Sequence, residues 1–276
     1  MTVLVIGGSG FLGAELVRQA TAAGHTTAAT YATKPGALSQ AVWYPLDLRD
    51  PERLDAVMAE VRPHLVINTA SRKADWAATA QGPVRLAKAT AKHGTRLVHV
   101  STDAVFSGTR VHYDEGSLPD PVTPYGAAKA AAETGVLVVY PEAVVARTSL
   151  IIGSDGRSEH EQAVRELAAG IRDGVLFTDD IRCPVHVADL TGALLELASS
   201  DASGIHHLAG PDAVSRHELG TLIARRDGLD ASRLPQGLRA HSTLPGALDV
   251  RLDSRSTQRK LGTTLRGVRQ FCMASA

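Results

Sequence analysis

The chain has 276 residues, 44% of them hydrophobic, which is enough for one substantial core or a large lobe carrying a smaller one. Lysine plus arginine equals aspartate plus glutamate, 29 against 29, so no net field draws the chain to nucleic acid or to anionic lipid, and an anionic ligand has to be held by local geometry. The cysteines, Cys183 and Cys272, lack metal-ligand spacing and read as reduced thiols. The start "MTVLVIGGSG" has neither a basic opening nor a long apolar run, and no later stretch reaches bilayer length, so a cytoplasmic protein with no membrane partner is expected.

In chain order, "TVLVI", a helix from about Phe11, "TTAATY", a helix after Asp50-Pro51, "HLVINTA", a helix through "PVRLAKATAKH" and "RLVHVST" alternate strand and helix. That rhythm predicts an α/β fold with a doubly wound parallel sheet. It resumes with the helix "PYGAAKAAAE" and the strand "AVVARTSLIIG", and changes after Gly153. The polar "SDGRSEHEQ", a helix "AVRELAAGIRDG", a strand-like "VLFTDD", a helix "VADLTGALLELASS" and the Pro- and Gly-rich "PQGLRAHSTLPGALDV" follow. The expected organisation is a Rossmann domain over 1–152 and a smaller α/β substrate lobe over 153–276, some of whose elements return to the Rossmann sheet.

"VIGGSGFLG" sets Gly7, Gly10 and Gly13 between the first strand and the first helix. Glycines there permit a tight turn, close approach of a pyrophosphate and close helix packing, with free N–H groups at the helix start facing the anion. An acid at the end of the second strand would bond the ribose of NAD, but the sequence reads "TYATKPG", with Thr33 and Lys34 available to a phosphate, which points to NADP with NAD as the alternative. Lys34 as a plain solvated lysine is the competing reading. Asp47, in "LDLRD" with Leu48 beside it, either meets the adenine edge or caps the helix after Pro51, a job for which Asp50 is better placed.

Thr123 and Pro124 read as cap and first position of a helix, so Tyr125 and Lys129 lie one turn apart on one face. A phenol titrates near ~10 in water, and an adjacent ammonium lowers that value by favouring the phenolate. Such a tyrosine can protonate a carbonyl oxygen as hydride reaches the carbon. Ser101 and Thr102, at the carboxyl end of the preceding strand, are the groups available to orient that carbonyl. Taken alone, a Tyr and Lys at this spacing are more often surface neighbours; the glycine turn and the hydroxyl-bearing strand end favour a catalytic pair.

With "GGSGFLG", "VSTDAVFSG", "DPVTPYGAAKAAAE", "ARTSLIIG", "RCPVHVADL" and "HHLAGPDAVSRHELG" on one chain, the sequence resembles the extended short-chain dehydrogenase/reductase family, in the branch of dTDP-4-dehydrorhamnose reductase. The resemblance implies that Thr102, Tyr125 and Lys129 are catalytic, with Lys129 also gripping the nicotinamide ribose. It implies a cofactor groove that takes in Phe11, Leu12, Asn68, Thr69, Ala70 and Ser71. Dehydrating relatives follow the threonine with Asp-Glu; Thr102-Asp103-Ala104 here argues for carbonyl reduction instead, with Asp103 close to substrate.

Two segments depart from the branch, "NTASRKADW" and "LPGALDV". Arg72, Asp75 and Trp76 in the first, and Arg182 further on, are candidate substrate contacts, against a reading of solvated loop charges and a helix anchor. The expected function is NAD(P)H-dependent reduction of a carbonyl, foremost on a nucleotide-linked 4-keto-6-deoxy sugar. The alternatives are a non-sugar ketone or imine, or a non-catalytic dinucleotide-binding subunit. The expected partner is a small molecule, with homodimerisation left open. Adjacent His206 and His207 point to opposite faces of a strand, so no metal site is read there.

Overall fold

The computed structural model describes residues 1–154, 156–243 and 245–273. Asp155 of the polar stretch, Leu244 of the Pro- and Gly-rich segment and the last three residues lie outside the described residues.

The chain runs through β1 (Thr2–Ile6), α1 (Phe11–Ala22), β2 (Thr26–Tyr31), β3 (Val42–Pro45), α2 (Pro51–Val61), β4 (Leu65–Asn68), α3 (Gly82–Lys92), β5 (Arg96–Thr102) and β6 (Val111–Tyr113). It continues with α4 (Pro124–Val139), β7 (Val144–Thr148), β8 (Ile151–Ile152), α5 (Glu159–Ala169), β9 (Leu176–Phe177), β10 (Ile181–Arg182), β11 (Val185–His186), α6 (Val187–Ala198) and β12 (Gly204–Leu208). β13 (Val214–Ser215), α7 (Arg216–Arg226), β14 (Gln236–Gly237), β15 (Val250–Leu252), α8 (Arg255–Gln258) and α9 (Val268–Met273) complete it.

Seven strands form one sheet in the order β12-β7-β5-β4-β1-β2-β3, every neighbouring pair parallel. The five inner strands are buried on both faces because their residues alternate between two apolar layers, whereas the edge strand β3 is not. Val3 and Val5 join the core with Leu16, Val17, Leu190 and Leu194 of α1 and α6. Leu4 and Ile6 join the opposite core with Leu54, Met58, Leu86 and Val136 of α2, α3 and α4. The sheet is therefore covered twice, and its carboxyl edge is where the connecting loops gather.

β12 and α6 come from beyond residue 153, yet β12 pairs with β7 and α6 packs against α1, with Gln19 Nε2 donating to Ala188 O at 3.0 Å. The remainder builds its own small core from Val164, Leu167, Leu219, Ile223 and Phe271. Three expected elements are shorter or broken. The helix expected in "AVRELAAGIRDG" begins earlier, at Glu159, because Ser158 and Glu161 form a reciprocal capping box, and it ends at Gly170 in the left-handed region. "VLFTDD" is a strand only at Leu176–Phe177. "AVVARTSLIIG" is interrupted at Ser149-Leu150, so that β8 leaves the main sheet and pairs with β11.

Candidate active site

At the end of β1 the chain turns through Gly7, whose φ of +79° is one that side-chain-bearing residues rarely adopt. A Cβ on Gly7 would stand 2.9 Å from Ala70 N; one on Gly13 would overlap the Gly7 carbonyl oxygen and lie 2.8 Å from Gly8 Cα. The first turn of α1 is thus pressed against the end of β1, and its cap, Gly10, makes no side-chain capping bond. A groove of about 200 Å³ continues from this turn, bordered by Gly7, Gly10, Tyr31, Ala32, Asp47 and Arg72 among others, with Leu48, Thr69, Ala70 and Ser71 along its floor and wall. The bare turn and the open groove fit an extended ligand with a pyrophosphate, as a nicotinamide dinucleotide has.

The groove opens into a larger cavity of about 690 Å³, and Thr69 and Ser71 line both. Phe11, Leu12, Thr102, Asp103, Tyr125 and Lys129 border the cavity from the sheet side. His160, Asp180, Arg182, Arg216 and Arg239 border it from the other.

Local capping positions the tyrosine. Thr123 Oγ1 accepts from Gly126 N at 3.0 Å and Pro124 occupies the first helical position, so α4 starts where Tyr125 faces the cavity. Gly126 has its own purpose, since a Cβ there would overlap the Ala104 carbonyl oxygen. Its absence lets α4 lie directly on the 3₁₀ turn Asp103–Val105 that follows Thr102. The local signal for Gly126 in the sequence is its place between Tyr125 and Lys129.

Tyr125, Lys129 and Glu133 recur every four residues on α4 and share one face. Glu133, which sequence reasoning missed, is buried against fully buried Arg147 at 2.8 Å and accepts from Ser101 Oγ at 2.5 Å. Arg147 also donates to Ser117 O at 3.1 Å and lies over the Phe106 ring, 4.9 Å from its centroid. Ser101 therefore ties β5 to α4, and Thr102, the next residue along the strand, is the hydroxyl left to the cavity.

Burial pushes the Tyr125 phenol above its ordinary value, and the Asp103 and Glu159 carboxylates add to that, while the Ser71 and Thr102 hydroxyls pull it down. The expectation that the Lys129 ammonium makes the phenol more acidic is not met in this geometry. Lys129 Nζ is turned to Val100 O at 2.6 Å and His99 Nε2 at 3.4 Å, and its burial lowers its own pKa to about 8.

The other expected contacts divide. Asp103 and Arg182 line the cavity and lie 3.7 Å apart; Asp103 accepts from Ser149 Oγ at 2.6 Å, and Arg182 is held by Asp180 at 3.0 Å and by the carbonyls of Ile181, Leu248 and Ala247. Arg72 borders the dinucleotide groove instead of the cavity. Asp75 and Trp76 border neither: Asp75 pairs with Arg49 at 3.1 Å and caps the following helical turn through Ala78 N, and Trp76 is 51% exposed.

Thr33 and Lys34 also border neither cavity, because β2 ends at Tyr31 and the following loop is exposed. Asp47 lies on the groove, with Arg49 bonded to both its oxygens and holding its carboxyl down at about 2, while Asp50 is the cap of α2. His206 bonds Thr257 Oγ1 at 3.1 Å, whereas His207 meets Phe106 edge-on, 6.3 Å between centroids.

Asp180, Arg216 and Arg239 carry no local signal in the sequence that marks them as cavity residues. Arg216 opens α7, but nothing local to it in the sequence says that it faces the cavity. Its Nε lies 3.4 Å from Asp180 Oδ1, the carboxylate that Arg182 also uses.

A glycine-cradled groove running over the carboxyl edge of a parallel sheet to a Thr-Tyr-Lys constellation puts this molecule in the extended short-chain dehydrogenase/reductase class. Residues 1–270 match the family model described as the RmlD substrate binding domain, and the chain belongs to that family. It is similar to the probable low-salt glycan biosynthesis reductase of Haloferax volcanii, 30% identical over 281 residues that cover 95% of this chain and 93% of the relative. It is 31% identical over 252 residues to dTDP-4-dehydrorhamnose reductase of Mycobacterium tuberculosis, covering 84% of this chain and 77% of that one. Among solved structures, a hypothetical dTDP-4-dehydrorhamnose reductase from Sulfolobus tokodaii superimposes with a TM-score of 0.83 at 27% identity, over 96% of this chain and 97% of that one. The Bacillus anthracis dTDP-4-dehydrorhamnose reductase in complex with NADP shares the fold, with a TM-score of 0.84 at 22% identity over 99% and 97% of the two chains.

Proposed function

We propose that the protein is an NADPH-preferring reductase of a carbonyl on a nucleotide-linked 4-keto-6-deoxy sugar, as the names of its relatives suggest. The observation that carries this reading is the meeting of Tyr125, Thr102 and Ser71 on the floor of a cavity continuous with the dinucleotide groove.

Gly7, Gly10 and the start of α1 hold the pyrophosphate, Thr69 and Ala70 form the wall of the groove, and Lys129 holds ribose. When bound, the dinucleotide supplies hydride to the carbonyl carbon. The residues of the chain do the rest. Thr102 Oγ1 orients the carbonyl oxygen, and Tyr125 donates its phenol proton to that oxygen as charge develops there. A phenol raised by burial suits this direction of reaction, because it stays protonated until the oxygen becomes basic. The phenolate left behind is stabilised by the Ser71 and Thr102 hydroxyls that already lie against it.

The substrate's anionic end faces Arg216 and Arg182. These two guanidiniums share the Asp180 carboxylate and Arg182 also lies 3.7 Å from Asp103, so the unanswered positive charge for a diphosphate comes from Arg239 beside them. Preference for NADPH rests on Arg72 at the groove and on Arg49, which neutralises the one acid there, Asp47. The reading is tested by NADPH oxidation with dTDP-4-dehydrorhamnose beside a panel of small ketones and imines. Robust turnover of the nucleotide sugar, lost by at least about 100-fold in Tyr125→Phe with dinucleotide affinity nearly unchanged, is the expected result. Turnover that survives in Tyr125→Phe, or activity confined to the small ketones, overturns it.

A further inference from the structure

Behind the cavity floor lies a row of buried polar groups that runs from the Ala70 backbone to Lys129 through Asn68 and His99, two side chains the proposed chemistry does not use. Ala70 N donates to Asn68 Oδ1 at 3.1 Å; Asn68 Nδ2 lies 3.1 Å from His99 Nδ1; His99 Nε2 lies 3.4 Å from Lys129 Nζ; and Lys129 Nζ donates to Val100 O at 2.6 Å. Asn68, His99 and Lys129 are 0%, 1% and 3% exposed, so water does not repair a mismatch along the row.

The direction of each bond is fixed from one end. A backbone N–H can only donate, so the Ala70 N–H assigns the carbonyl oxygen of Asn68 to itself and turns the amide NH₂ toward His99. His99 Nδ1 then has to accept, which puts the proton of the neutral imidazole on Nε2, facing Lys129. An ammonium has three donors and no acceptor, so it would set donor against donor at this contact. Moving the histidine proton to Nδ1 only transfers that conflict to Asn68, and turning the Asn68 amide over transfers it to Ala70. One arrangement has no such conflict: His99 Nε2–H donating to the lone pair of an amine that itself donates to Val100 O.

We propose that His99 is a positioning residue whose Nε2–H, at the end of a one-way chain of donors beginning at the Ala70 backbone, disfavours the Lys129 ammonium and brings the uncharged amine within reach in the ligand-free protein. The charged groups around the lysine are accounted for. Glu133, one turn along α4, favours the ammonium, but its oxygens already take Ser101 and Arg147. Tyr125 lies one turn back and is protonated, and Asp103 lies beyond Thr102 and is bonded to Ser149. His99 is itself kept neutral by burial, and by the lysine whenever that carries its charge, and the lowered Lys129 pKa of about 8 brings the uncharged amine close to neutral pH. For the proposed reductase it follows that the ammonium that steadies a phenolate forms only together with a reversal of this row. That consequence rests on the functional reading; the protonation pattern itself does not.

The test is long-range proton–nitrogen NMR of the ¹⁵N-labelled full chain without substrate or dinucleotide, with the ring of His99 assigned through its backbone. The expected result is Lys129 Nζ titrating near 8, with His99 neutral throughout, its proton on Nε2 above that midpoint and passing to Nδ1 below it as the row reverses. In Asn68→Asp a second acceptor stands between Ala70 and His99, so the tautomer is expected to invert to Nδ1–H and the lysine midpoint to rise by more than a tenfold change in proton affinity. An Nδ1–H tautomer above the lysine midpoint, or an imidazolium at any pH tested, in the unaltered protein overturns the proposal even if the variant fails to fold. So does a lysine midpoint that is the same in both proteins. No turnover is measured, so failure here is distinct from failure of the reductase assignment.

Discussion

Replacing Gly126 by alanine adds one methyl group where α4 rests on the turn after Thr102. The added Cβ would overlap the Ala104 carbonyl oxygen and lie 3.0 Å from both Ala104 C and Pro121 Cβ. Carbon contacts settle at about 3.5–4.0 Å, so the first turn of α4 has to retreat by about 1 Å. The obstacle is backbone and a proline ring, neither of which swings aside. Alanine is favoured over glycine inside a helix by about 1 kcal/mol, whereas overpacking costs about 1–3 kcal/mol. The net loss of stability is therefore small, roughly 0–2 kcal/mol, and the variant is expected to fold. The effect on rate is larger, because Tyr125 rides on the displaced turn, and a misplacement of about 1 Å costs on the order of 100-fold. Steady-state NADPH oxidation is expected to show kcat down by about that factor, with dinucleotide affinity changed far less. A kcat close to that of the unaltered protein, with an unchanged Tm, would refute the argument that the α4 contact sets the distance between Tyr125 and Thr102.

Glu133→Gln leaves Arg147 charged and buried without its counter-ion, which should cost about 3–5 kcal/mol, or roughly 10 °C in a thermal melt. Replacing both partners by leucine and methionine should recover most of that loss. Arg72→Ala should weaken NADPH binding by about tenfold while leaving NADH nearly unaffected, and Lys34→Ala should change neither, both read by fluorescence titration. Burial lowers the Lys129 pKa from the ordinary 10.5 to about 8 in the folded protein. Between those values the unfolded chain binds more protons, so this group makes the protein more stable as pH rises through that window. Lys129→Met should flatten that part of the Tm–pH curve, and an unchanged slope would mean that the lysine is not desolvated as described.

The parallel sheet was legible because strands buried on both faces read as unbroken apolar or β-branched runs, and the start of α4 because Thr123-Pro124 is a local signal. The meeting of Thr102, Tyr125 and Lys129 at one cavity was legible for the same reason: strand end and helix face are each set by short-range periodicity. What could not be read depends on distant partners. The direction in which Lys129 points is decided by Val100 and His99, twenty-nine and thirty residues upstream on β5. Thr33 and Lys34 have the right chemistry for a phosphate, but where an irregular loop runs leaves no trace in their identity. Arg216 and Asp180 reach the cavity through β10 and β13, strands of two residues each that carry no period at all.

The return of β12 to the edge of the main sheet has a bearing on how such chains can be recombined. Residues 153–203 are inserted between two parallel neighbours, β7 and β12, and are not appended after a finished domain. A fragment cut at residue 152 would expose the whole outer edge of β7, an open row of amides and carbonyls ready to pair with another copy. Exchanging the substrate half between relatives as a terminal cassette would inherit that fault. Grafts with both crossover points inside the span 153–203 would keep the edge sealed.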